Sequence, residues 1–149
     1  MKKETYPLVF VMVLTLSAVV FAGTFKVYPG ARLEDTYEVR QSEAGIIKTS
    51  KAPKVFIFTT NDFFENVVAF YRGLAREYRV PGTEGKPTRL SSGQNLKEAY
   101  FIFDDAADIT TSRHWVKIQR PYLGRGQRRE GFHGQEVTAI IEEDRRDYP

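Results

Sequence analysis

Hydrophobic and polar positions along the chain mark out short strands around one helical stretch. Thr36-Tyr37-Glu38-Val39-Arg40 alternates, with Tyr37 and Val39 on one face, as a half-exposed strand does. Val55-Phe56-Ile57-Phe58-Thr59-Thr60 is β-branched and aromatic throughout. Tyr100-Phe101-Ile102-Phe103 has the same character, and Trp115–Gln119 and Val137–Ile141 complete the set. Between the second and third runs the period changes. Phe63, Val67, Phe70, Leu74 and Tyr78 recur every three or four residues, with Phe64, Val68 and Tyr71 widening the stripe. This predicts an amphipathic helix of about 17 residues, ending near Arg79 ahead of Val80-Pro81-Gly82. Asn61 or Asp62 supplies its cap, and Glu65 follows Asp62 by three residues as in a capping box. Tyr28-Pro29-Gly30-Ala31 reads as a type II turn, with proline presetting φ and glycine accepting a positive φ. Residues 82–94 and 121–134 read as loops, and 142–149 as a charged tail that frays.

The order strand, strand, helix, strand, strand, strand predicts an α+β fold. Its core is a single twisted, mostly antiparallel sheet of about five strands, with one long amphipathic helix packed on one face. The runs at 55–58 and 100–103 are apolar on both sides. A sheet covered by one helix leaves a solvated face and alternates accordingly, so these strands call for a second cover. Two covers fit: the long loops, or a partner or second copy held on an exposed aromatic surface.

The first residues have a different pattern. Met1-Lys2-Lys3 is a charged start, and Leu8–Ala22 is a charge-free run of 15 residues ending Val20-Phe21-Ala22-Gly23. A bilayer span takes roughly 20 apolar residues. The layout is that of a secretory signal peptide over residues 1–22, with small residues at Val20 and Ala22 before a cut at Gly23. Residues 23–149 then form one globular domain in the periplasm or outside the cell, without a stable membrane span. Retention of the segment as an uncleaved anchor is the alternative.

Removing the leader takes the formal charge from +3 to +2, which disfavours nucleic acid as a partner. There is no cysteine, so disulfides, thiol chemistry and zinc–thiolate sites are excluded, and no lipid-attachment cysteine follows Ala22. Stability has to come from packing, for which 11 Phe, 8 Tyr and 1 Trp supply the area.

Two regions are candidates for binding. Arg113–Arg129 carries Arg113, Lys117, Arg120, Arg125, Arg128 and Arg129 without an acid, with Trp115 and Tyr122 interleaved. Arginine forks grip oxyanions and aromatics offer stacking surfaces, so Arg120, Arg125, Arg128, Arg129 and Tyr122 point to an anionic ligand. A solvated hairpin is the simpler account of the same charges. Phe56, Phe58, Phe101, Phe103 and Trp115 would form the aromatic sheet face, a contact area for a protein partner or homodimer.

Catalysis has weaker support. Asp104, Asp105 and Asp108 cluster after a strand, with His114 nearby and Ser91 or Ser92 as conceivable nucleophiles. A small hydrolase or metal-dependent enzyme would use the Asp/His group. Yet the aspartates lack the spacing of a calcium loop and equally suit turns. No Gly-x-Ser-x-Gly, His-Glu-x-x-His or phosphate-binding glycine loop occurs. No catalytic residue, metal or cofactor is assigned.

Taken together, Tyr28-Pro29-Gly30-Ala31, Thr60-Asn61-Asp62 with Val67-Val68-Ala69-Phe70-Tyr71, and Trp115–Tyr122 resemble a set of small exported bacterial proteins of unassigned function, many of them lipoproteins. In that set a YPGA-like turn precedes a strand, and a T-x-D…V-x-x-FY helix follows a second strand. The resemblance implies a compact α+β envelope protein and transfers no catalytic residues. The missing lipid-attachment cysteine departs from it and favours a soluble form. The resulting expectation is an exported binding or accessory protein of the bacterial envelope, with a purely structural domain as the other non-catalytic reading.

Overall fold

The computed structural model describes residues 23–38, 53–83, 86–124 and 134–147. Its strands are β1 (Arg32–Glu38), β2 (Lys54–Thr60), β3 (Arg76–Tyr78), β4 (Thr88–Arg89), β5 (Asn95–Ile102), β6 (His114–Arg120) and β7 (Thr138–Asp144). One helix, α1 (Phe64–Arg72), follows β2 among the described residues. The sheet is open, runs β1-β2-β7-β6-β5-β3 with β4 also paired to β5, and every pairing is antiparallel. The α+β class and the antiparallel sheet therefore hold, with seven strands rather than about five.

The helix is a correction. It spans nine residues and stops at Arg72, where Gly73 forms the C-cap. Glycine is among the poorest helix formers, and the chain turns there. Gly73 donates to the Phe70 carbonyl, while Leu74 and Ala75 both donate to that of Tyr71. Tyr78 thus leaves the helical stripe and joins β3, opposite Tyr100. At the other end, Phe63 is the N-cap, and no side chain caps it. Asp62, one residue earlier, accepts the Phe63 N–H at 2.8 Å and the Asn66 side-chain amide at 2.8 Å.

Two stretches outside the predicted strands are strand. β5 begins at Asn95 because Lys97 and Ala99 pair with Arg120 and Ile118. Asn-Leu-Lys-Glu-Ala has little β-propensity, so the pairing decides its conformation rather than the residues. β7 continues through Glu142 and Asp144, opposite Phe56 and Lys54 on β2. The predicted turn is present: Gly30 has φ +81° and Ala31 donates to the Tyr28 carbonyl at 3.0 Å.

The sheet has a core on each face. On the helix face, Val67, Val68 and Tyr71 of α1 pack on Ala99, Phe101, Val116, Ile118 and Ile140, with Phe103 just beyond β5. The segment Gly23–Ala31 crosses this face and adds Phe25, Tyr28 and Ala31. On the opposite face, Val55, Ile57 and Ala139 pack with Tyr122, and Tyr37, Val137 and Ile141 lie against them. Tyr122 comes from the start of the segment read as a loop, so that segment contributes to the second cover.

Candidate functional site

The aspartates read as a catalytic cluster organise a turn. Asp104 accepts the N–H of Arg113 at 2.6 Å and of His114 at 3.2 Å through one oxygen, and the Ser112 hydroxyl at 3.0 Å and the Ala106 N–H at 3.2 Å through the other. Burial works to raise its pKa, but these donors outweigh it and hold the carboxyl below its usual range. Asp108 binds Thr110 and Thr111 through hydroxyl and backbone donors, with the Thr110 hydroxyl the strongest influence lowering its pKa. Asp105 is exposed.

His114 turns away from all three. Its Nε2 lies 2.8 Å from Glu142 Oε1, and both residues are buried, at 3% and 7% exposure. The pair sits on the helix face under aromatic rings: Phe103 lies 5.0 Å from the imidazole centroid and Phe25 6.2 Å. Beside Phe25 and Phe103, the Tyr71 phenol is raised well above its ordinary pKa, first by burial and then by the charge of Glu142. Asp144 completes a group of three: His114, Glu142 and Asp144 bring one donor atom each within 4.8 Å of one another. One imidazole with two carboxylates is a donor set that transition metals accept. As arranged, those donors are engaged. His114 and Glu142 bond to each other, and Arg146 forks onto Asp144 at 2.9 and 2.7 Å. That fork is the main reason the Asp144 carboxyl falls to about 2. The group closes the β6–β7 end of the core as two hydrogen-bonded pairs.

The binding candidates are distributed differently from the sequence expectation. Phe101 and Phe103 are buried at 0% and 4% exposure, and Phe56 and Phe58 are half-buried. Phe58, Phe101 and Phe103 belong to the helix-side core, so these positions do not present an open aromatic surface. Helix α1 and the strap at 23–31 supply what covers them. Trp115 lies on the other face, half-buried beside Tyr100, its ring nitrogen enclosed without an acceptor among the described residues. Arg120 is a structural tie: its guanidinium donates to the Asp62 carbonyl and the Thr138 hydroxyl, each at 3.1 Å. Tyr122 is buried, and its backbone exchanges 2.9 Å bonds with Gln135. Arg125, Arg128 and Arg129 lie outside the described residues.

A concave feature of the described surface lies elsewhere. A cleft of about 910 Å³ opens where α1, β5 and the β3–β4 connection meet. Its apolar lining includes Phe64, Val68, Leu96, Ala99 and Tyr100. Its charged lining is of both signs. Arg72 pairs with Glu77 at 2.7 Å, Lys97 with Glu65 at 2.6 Å, and Glu98 with Lys117 at 2.6 Å. Arg79 and Lys86 are exposed at the rim. Sequence reasoning missed this cleft because it extended the helix through Arg79 and placed β5 five residues late. No local signal marks Asn95–Ala99 as strand, because its pairing with β6 decides it.

Comparison with protein-family models finds no match, and searches of curated proteins and of solved structures find none either.

Proposed function

We propose that this chain is an exported, non-catalytic binding protein of the bacterial envelope whose cleft between α1, β3–β4 and β5 takes an extended peptide segment of a partner. The observation that carries the reading is the makeup of that cleft. An apolar lining of Phe64, Val68 and Ala99 is bordered by ion pairs of both signs, Arg72–Glu77 and Lys97–Glu65. A peptide offers the matching set, with apolar side chains for the lining and charges of both signs for the rim. The exchange of partners also keeps net charge balanced, which suits specificity more than gross attraction. The catalytic alternative draws less support, because Asp104 and Asp108 are occupied by local donors and His114 by Glu142.

The test is amide chemical-shift mapping against a peptide library, with anionic glycan, anionic vesicles and DNA as parallel probes at several salt concentrations. Peptide-induced shifts at Phe64, Lys97 and Ala99 support the reading. So does a roughly tenfold loss of affinity in a folded Phe64→Ala/Arg79→Glu variant, the size expected for removing one anchor. Salt-sensitive binding of polyanions alone, abolished by Arg125/Arg128/Arg129→Ser and leaving the cleft unshifted, would replace this site with the basic segment.

A further inference from the structure

Strand register puts His114, Glu142 and Asp144 on one side of the sheet. His114 stands directly across from Asp144, and Glu142 lies two residues back along β7, so all three side chains share the helix face. One donor atom from each, an imidazole nitrogen and two carboxylate oxygens, falls within 4.8 Å of the other two. His114 and Glu142 are buried, and Phe25 and Phe103 pack on the imidazole, so packing limits their movement. Asp144 is half-exposed and is held by Arg146, whose side chain is 58% exposed. Two carboxylates therefore crowd one corner of the core, and Arg146 bonds to one of them alone. The charge of the other reaches the Tyr71 phenol, whose pKa is raised by burial and then by Glu142.

We propose that this group binds one divalent transition-metal ion of the zinc type, through Nε2 of His114 and one carboxylate oxygen each of Glu142 and Asp144. Tetrahedral zinc, with bonds of about 2.0–2.2 Å to nitrogen and oxygen, holds its donors roughly 3.3 Å apart. His114 Nε2 and Glu142 Oε1 are already 2.8 Å apart, so they separate by only about half an ångström to admit the ion. The proton between them gives way. It moves to Nδ1 when the imidazole is neutral and leaves to solvent when it is an imidazolium. Asp144 closes in from its half-exposed side, and Arg146 swings off it into water. The imidazole sets the preference for the ion: calcium and magnesium take oxygen donors, whereas zinc and its neighbours also take imidazole nitrogen. Three protein donors leave a fourth position for water. The site lies apart from the cleft, and the inference stands whether or not the chain is exported.

The untagged protein, purified from cells expressing the full chain, is stripped with a chelator and titrated calorimetrically with zinc chloride and, in parallel, calcium chloride. One zinc per chain is expected, with a melting temperature that rises with zinc concentration. The His114 imidazole resonances should move while those of His133 stay in place. Asp144→Asn should bind zinc at least tenfold more weakly. Arg146→Gln should bind it more tightly, because the substitution removes the group that competes for Asp144. Asp144 is half-exposed and Arg146 exposed, so both variants keep the fold, which a cooperative melt checks. Absence of saturable zinc binding overturns the inference. So does binding that moves His133 instead of His114, or binding that Asp144→Asn leaves unchanged. A calcium response equal to the zinc response overturns the assignment to a transition metal.

Discussion

His114 on β6 and Glu142 on β7 are diagonal neighbours on the helix face, joined by a 2.8 Å hydrogen bond and both more than nine-tenths buried. Register places Asp144 directly across from His114 and Val116 across from Glu142. The pair is thus built by the sheet itself and roofed by Phe25 and Phe103. Removing one member leaves a buried polar group without its partner, which costs about 1–3 kcal/mol. Glu142→Ala is expected to lower unfolding free energy by that order in urea titration. The double variant His114→Phe/Glu142→Leu is expected to recover much of the loss, since apolar replacement of a buried pair is often neutral or better. Equal losses in both variants would mean that packing, and not the pair, sets the cost.

Phe101 separates a core reading of the aromatic strands from a contact-surface reading. It is fully buried beneath Tyr71, with ring centroids 5.9 Å apart. Phe101→Ala should cost about 3–5 kcal/mol, as large-to-small changes in cores do. Phe101→Asp should abolish the cooperative thermal transition seen by circular dichroism. A folded Phe101→Asp protein with a smaller elution volume change, or a dimer turned monomer, would restore the contact surface.

Much of the fold is legible in the residues because the strongest patterns are also the most buried. Val55, Ile57, Val116, Ile118 and Ile140 are all at or below 2% exposure, and each lies in a run that alternation or β-branching marks. What the pattern misplaces is decided by pairing or by single residues. Gly73 ends α1 although Leu74 and Tyr78 continue its period. Asn95–Ala99 becomes strand because β6 lies beside it, a long-range fact with no local imprint. Glu142 and Asp144 look like a solvated tail but continue the inward face of Thr138 and Ile140. The same error hides the site chemistry. The carboxylate that His114 meets is 28 residues away on a neighbouring strand, while the aspartates near it in sequence serve the turn.

The Tyr28–Ala31 turn depends on Gly30, whose φ of +81° lies where side chains are strained. Nothing lies within 4 Å of where a Cβ would stand, so a substitution there meets backbone strain and no clash. Gly30→Ala is expected to destabilise by roughly 1–2 kcal/mol. Because the turn feeds the strap, Phe25 and Tyr28 resonances should move more than those of β5 and β6 in a two-dimensional NMR comparison. Uniform changes across the sheet would place the effect outside the strap.

Acid should loosen the β6–β7 end only when it is strong enough to protonate Asp144. The guanidinium of Arg146, bonded to both oxygens of Asp144, outweighs the opposing effect of burial and brings that carboxyl from an ordinary 3.8 to about 2. The folded state then holds the proton less readily than the unfolded chain, so this contribution to stability is complete above about pH 4 and lost as pH falls through 2. Asp104 and Asp108 shift in the same direction, through donors independent of Arg146. Arg146→Gln should therefore return Asp144 toward its ordinary value while leaving the other two low. Stability measured by urea titration from pH 6 to pH 2 should differ most between wild type and variant at the upper end, and the two curves should converge at the lower. Carboxyl carbon shifts follow each aspartate separately. An Asp144 midpoint unmoved by Arg146→Gln would assign its depression to the backbone N–H of residue 146, which that substitution retains.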